Sequence, residues 1–389
     1  MRIRNLLSCL FLSILAVSCI KDEALNSEAD IETCTLSGDV LNREPIIEND
    51  KVTLILKKGT DLTALAPQFT LTPGATIIPA SGSTLDFTSP QTYVVTSEDK
   101  KWQKSYKVSA TTSAFTTTRY NFENVRFFSD NHNKDKYQIF YETDQQGREN
   151  MTWASGNPGF AMTGVEGNYS IYPTFQADNG INGSKCLGLT TRLTGTLGNL
   201  MNMPLASGNL FIGTFDVMNA LTNALTATQF GMQFEYIPTY LKGYYKYKAG
   251  DTFYIVDRTS HDKIKPVPGE KDAFDIYAVF YESTKKLPVL DGTNILDENT
   301  ETILAVARIE KGTESSEWKE FYLPFNFREG KKVDPVKLAA GKYNLTIVFA
   351  SSVRGNYFEG APGSTLYIDE VELGYEESET NIINTATNQ

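Results

Sequence analysis

The chain has 389 residues, with 36 Lys and Arg against 47 Asp and Glu, a net charge of −11. Phosphate affinity comes from clustered cations, so this balance argues against nucleic acid as a partner. Two histidines, His132 and His261, and no Cys-x-x-Cys pair argue against a His-rich or thiolate metal site, and the length predicts about two domains.

The first element is an export signal. Arg2 and Arg4 precede an apolar run over residues 6–17, broken only by Ser8, Cys9 and Ser13. That run is shorter than the roughly 20 residues of a spanning helix and has the length of a signal-peptide core. It ends in Ala16-Val17-Ser18-Cys19, which resembles the bacterial lipobox. The resemblance implies cleavage after residue 18 and a lipid on Cys19, which removes two arginines and moves the net charge to −13. Lys21-Asp22-Glu23 resembles the surface-export signal of Bacteroidetes lipoproteins, which implies a lipid-anchored protein of the outer membrane at the cell surface. The lipid is then the only membrane contact. Residues 19–31 are acidic and lack aromatics, and read as a tether.

Residues 32–112 read as short strands. Val52 and Leu54, Phe69 and Leu71, Tyr93 and Val95, and Tyr106 and Val108 repeat at period two between Pro73-Gly74, Ser81-Gly82 and Ser89-Pro90 turns. The spacing predicts a small β-sandwich. The stretch 69–108 resembles the immunoglobulin-like modules that serve as spacers in Bacteroidetes surface lipoproteins. Trp102 reads as a core residue. Cys34 and Cys186 fall in different predicted domains and read as small buried hydrophobes rather than a disulfide.

A Thr-rich joint over 113–118 leads to a larger unit, residues 119–377. Strand patterns recur at 210–217, 230–236, 252–256, 275–281, 303–309, 320–324, 343–350 and 364–373, and 217–226 is the one short helix or turn expected. Strands this numerous predict a two-sheet jelly roll. The fold class expected is therefore all-β: an immunoglobulin-like sandwich followed by a larger jelly-roll sandwich. Residues 378–389 are polar and read as a disordered tail.

Asn121-Phe122-Glu123, then Trp153-Ala154-Ser155-Gly156, and finally Leu366-Tyr367-Ile368-Asp369-Glu370-Val371-Glu372-Leu373 resemble jelly-roll carbohydrate-binding modules. The whole stretch resembles the putative carbohydrate metabolism domain of Bacteroidetes lipoproteins. The resemblance implies a glycan pocket on a jelly roll. It also implies a structural Ca²⁺ held by Glu123 and Asp369 with backbone carbonyls, an ion suited to hard oxygen ligands; no other cofactor is called for.

Sugars present C–H faces and hydroxyl rings, so their sites combine aromatic faces with a few fixed polar groups. Phe234, Tyr236, Tyr240, Tyr244, Tyr245 and Tyr247 cluster with interleaved lysines, and Asp275, Tyr277 and Tyr281 share one face of a strand. Trp153 in a Gly/Asn loop, and Arg354, Asn356 and Glu359 in the loop before the last strand, complete the expected glycan contacts. Three functions follow. The first is a non-catalytic glycan-binding lipoprotein in carbohydrate acquisition, with an oligosaccharide as partner. The second is a glycoside hydrolase or lyase, for which Glu235, Asp275, Glu282 and Glu359 are candidate acids. The third is an adhesin whose aromatics meet a protein. Neither a nucleophile elbow nor a phosphate loop is present, so a binding protein is expected over an enzyme.

Overall fold

A computed structural model describes residues 25–376 except 39, 42–44, 48–49, 58–59, 112–116, 131–133, 144–146, 148, 166 and 221–222. The export signal, Cys19 with the lysine and acids behind it, His132 and the tail lie outside the described residues. The chain divides into two compact units, and both are all-β.

The smaller unit pairs Ile31–Thr35 with Gln68–Leu71, and builds a five-stranded sheet from Ile46–Ile47, Lys51–Ile55, Gln103–Thr111, Gln91–Thr96 and Thr76–Ile78 in spatial order. The period-two residues Val52, Leu54, Tyr93, Val95, Tyr106 and Val108 are all buried. Phe69 of the short sheet meets the edge of Tyr93 at 4.9 Å, which joins the two layers. The expected tether is fastened at its end. Asp30 accepts from Lys104 at 2.6 Å and from the Tyr106 hydroxyl at 3.0 Å, and Ala29 is buried. Trp102 is exposed rather than packed, because it sits in the turn that precedes Gln103–Thr111.

The larger unit is two antiparallel sheets. The first runs Thr174–Ala177, Cys186–Thr190, Thr365–Glu376, Ile237–Lys248 and Ser315–Pro324, with Arg119–Tyr120 added on Thr365–Glu376. The second runs Asn209–Phe211, Tyr343–Ala350, Asp275–Glu282, Ile303–Arg308 and Asn326–Phe327, with Met232–Gln233 added on Tyr343–Ala350. Alternate residues of each sheet fill one core: Leu241, Leu366 and Ile368 from the first, Ile276, Phe280 and Ile347 from the second. A bulge in the Ile237–Lys248/Thr365–Glu376 pair between Lys242 and Tyr244 shifts the alternation, so Val371 and Leu373 take over the inward positions. Glu370 at that bulge has φ 48°.

The two central strands of the second sheet are buried on both faces. Asp275–Glu282 and Tyr343–Ala350 are covered along all but their last residue. Outward-facing Tyr277, Val279, Tyr281 and Val348 join Phe211, Phe230, Leu290 and Ile295 in a second apolar cluster. The face of strand 275–281 expected to be polar and aromatic is therefore roofed by intervening loops. Tyr281 lies under that roof and donates to the Phe230 carbonyl at 2.6 Å. Cys34 and Cys186 are both buried, and no disulfide joins them. Among the described residues no helix is long and apolar enough to cross a membrane.

Candidate functional site

The outer side of the second sheet carries a cavity of about 550 Å³. Its lining includes Asp275 and Tyr277, Arg308 of the neighbouring strand, and Phe211, Val348 and Ala350. Strand register brings these together: Tyr277 stands opposite both Arg308 and Val348, and Asp275 opposite Ala350. Arg308 grips Asp275 with two bonds, Nε to Oδ1 at 3.1 Å and Nη2 to Oδ2 at 2.6 Å. Its guanidinium also lies 5.8 Å from the Tyr277 ring centre. Burial raises the Asp275 carboxyl against the pull of Arg308, and burial is the larger effect. The pair fixes the orientation of Arg308 and leaves its Nη1 outside the bidentate contact.

The walls come from segments whose local sequence makes short helices. Asn157–Ala161 has Pro158 in its first turn, where the missing N–H is no loss. Gly195–Leu200 opens on Gly195 at φ 71°, a conformation strained for other residues. Its Gly198 packs where a Cβ would lie 2.0 Å from Thr194 Oγ1, and that hydroxyl donates to the Met203 carbonyl at 2.6 Å. Val217–Ala220 and Ala224–Ala227, expected as one helical turn, form two, and both contribute lining residues. Residues 292, 293, 295–297, 353 and 355–358 also contribute.

The 353–358 loop is anchored at both ends. Asp272 Oδ2 accepts from Ser352 Oγ at 2.6 Å, Ser364 Oγ at 2.7 Å and the Ala361 N–H at 2.8 Å. Arg354 pairs with Glu359 and Glu270 and lies over the Phe253 ring at 5.6 Å. Phe358 holds φ 59° and lines the cavity beside Asn356 and Tyr357.

Of the expected glycan contacts, the cavity gathers Asp275, Tyr277 and Asn356. The others lie elsewhere, each for a physical reason. Arg354 and Glu359 neutralise one another and brace the loop; neither lines the cavity. Trp153 is a core residue: its Nε1 donates to the buried Glu142 carboxylate at 2.9 Å, and its ring packs on Tyr120 at 5.1 Å. Tyr245 and Tyr247 point inward and pack on Phe274 at 4.8 and 4.7 Å, because positions 241, 243, 245 and 247 of Ile237–Lys248 face the core. Tyr236 packs between Phe234 and Tyr375. Tyr244 is on the outer face of the first sheet, in register with Glu320. That same face carries the stacked Tyr240–Tyr322 pair at 5.0 Å, and Lys246 over Trp318 at 4.7 Å.

Among the candidate acids, Glu282 pairs with Lys337 at 2.7 Å and Glu235 lies 3.3 Å from the Gln233 amide; neither lines the cavity. Asp297 does, together with Asp275. Arg308, Asp297 and Tyr357 were not anticipated from sequence. Arg308 had a signal, since it is the first charged residue after the apolar run 303–307 of a buried strand.

The calcium expectation rested on Glu123 and Asp369. Asp369 is fully buried and accepts from the Ile181 N–H at 2.7 Å, Ser184 Oγ at 3.2 Å and the Glu370 N–H at 2.8 Å. Glu123 Oε1 accepts the Lys185 N–H at 2.9 Å. Calcium takes six to eight oxygens turned to one point. Here three carboxylate oxygens of Asp369 and Glu123 accept from Ile181, Ser184 and Lys185 of the 180–185 turn and from the Glu370 N–H. Among the described residues no three His, Cys, Asp or Glu side chains group as metal ligands.

Fold and site together define a two-unit β-sandwich protein with a sheet-floored cavity in its larger unit. A sequence profile of the putative carbohydrate metabolism domain matches residues 121–374, and one of the SGBP (surface glycan-binding protein) N-terminal domain matches residues 35–110. The chain belongs to the putative carbohydrate metabolism domain family. A crystal structure described as a putative glycoside hydrolase from Bacteroides thetaiotaomicron is 50% identical, with a TM-score of 0.81 over 92% of this chain and 100% of the other. Another, described in the same words and from Bacteroides vulgatus, is 46% identical, with a TM-score of 0.60 over 67% of this chain and 98% of the other. No curated protein matches the chain.

Proposed function

We propose that the protein is a cell-surface lipoprotein that binds a glycan in the cavity of its larger unit. The carrying observation is the polar end of that cavity: Arg308 held rigidly by Asp275 beside Tyr277, with Asn356 and Tyr357 on the adjoining loop. A pre-oriented guanidinium and an amide suit sugar hydroxyls, and the exposed Tyr357 ring suits a sugar C–H face. The match of residues 35–110 to a surface glycan-binding protein domain supports both the ligand class and the location. Affinity electrophoresis against plant and host glycans tests the reading. At least one glycan should retard the protein, and Asn356→Ala with Tyr357→Ala should relieve the retardation. A folded protein retarded by none would refute it.

A hydrolase is the second reading, favoured by the description of the two Bacteroides relatives and by Asp275 and Asp297 lining one cavity. Against it, Asp275 is already committed to Arg308. Release of reducing ends from a retarding glycan, abolished by Asp297→Asn, would establish the hydrolase in place of the binding protein.

A further inference from the structure

The cavity mouth is apolar to a degree that a bare sugar does not require. Met162, Leu197, Met201, Val353 and Tyr357 all line it, and each is 39% to 57% exposed. Four of the five are aliphatic. Phe215, Leu225 and Leu296 continue the same lining. Large apolar side chains grouped around a concavity mark a surface that is covered when a ligand is present. Sugars stack on flat rings, whereas methionine and leucine side chains offer no such face; they adapt to flexible alkyl or irregular apolar groups. The charged Asp275–Arg308 pair and the Asn356 amide share this lining with Met162, Leu197 and Met201, so the cavity offers both polar and apolar partners.

We infer that this site takes a saccharide bearing an apolar substituent, an alkyl, acyl or aryl group. The sugar lies toward Asp275, Arg308 and Asn356, and the substituent lies among Met162, Leu197 and Met201. This rests on the glycan reading above and narrows it. The volume of about 550 Å³ falls within the roughly 300–1,000 Å³ of drug-sized ligand sites. The concave shape favours a small amphipathic molecule over a protein face.

The test uses the full chain, one reporter dye and one pair of glucosides. The dye 8-anilinonaphthalene-1-sulfonate, an aryl group with one anion, should bind saturably with a blue-shifted rise in emission. Octyl β-D-glucoside below its micelle threshold should displace it, and methyl β-D-glucoside should do so far less well. Each buried methylene is worth roughly fourfold in affinity. If only half of the seven extra methylenes bury, octyl should displace at about a hundredfold lower concentration. Leu197→Glu should abolish dye binding and the octyl preference. Leu200→Glu, on the same helix and 72% exposed but outside the lining, should leave both intact. Circular dichroism checks that both variants are folded. Equal displacement by octyl and methyl glucoside, indifference to Leu197→Glu, or equal loss in Leu200→Glu would each overturn the inference. Retardation by a glycan without an octyl preference would sink this inference alone. An octyl preference without retardation by any glycan would sink the glycan reading, and with it the saccharide part of this inference.

Discussion

Glu142 makes stability a reporter of one buried proton. Burial lifts its carboxyl from 4.5 to about 7, opposed only by the Trp153 N–H that it accepts at 2.9 Å. Because the folded value lies above the unfolded one, the folded state holds an extra proton between them. The neutral form is compatible with the core, so this contribution to stability is complete below about pH 4.5 and is lost as pH rises through about 7. The displacement corresponds to roughly 3 kcal/mol at 1.36 kcal/mol per tenfold change in proton affinity. Glu142→Gln keeps an oxygen for Trp153 and removes the titration. The variant should melt with the wild type near pH 4 and above it at pH 8. In a unit of this size roughly 3 kcal/mol is about 6–12 °C in melting temperature. Near-ultraviolet circular dichroism melts at half-unit pH steps would follow the packed Trp153 directly. A shift of equal size at every pH, or a variant less stable than wild type at pH 8, would refute the assignment.

Two further outcomes are expected. EDTA should leave the melting temperature of the larger unit unchanged, since protein N–H and O–H donors answer Glu123 and Asp369; a fall restored by calcium would reinstate the ion. Cys19→Ser should abolish labelling by radioactive palmitate and release the protein from membranes, and labelling that persisted would remove the lipoprotein assignment.

Much of the fold could be read from period-two patterning. Residues 343–350 were placed within their observed bounds, and 275–281 and 303–309 within one residue, because buried central strands are apolar runs with sharp ends. The short wall helices Asn157–Ala161 and Gly195–Leu200 were not foreseen. Their glycines and single turns give no periodicity, and tertiary contact with the sheet holds them. The site was legible only in part. Asp275 and Tyr277 stood out as polar residues in an apolar strand, and that is where the cavity lies. The tyrosine-rich segment misled because a strand sends neighbours to opposite faces: Tyr245 and Tyr247 go to the core while Tyr240 and Tyr244 stay outside. Trp153 misled because loop position alone does not reveal a partner such as Glu142. Asp275–Arg308 lies 33 residues apart in sequence, a pairing that only strand register exposes.

The knot at Asp272 holds residues 352, 361 and 364 to one carboxylate and leaves the stretch between them free of that duty. Side chains at 353, 356 and 357 can therefore be exchanged without moving the points where the chain enters and leaves. Family members that keep the knot and vary those three positions would carry the same frame with different tastes, much as one handle accepts many blades.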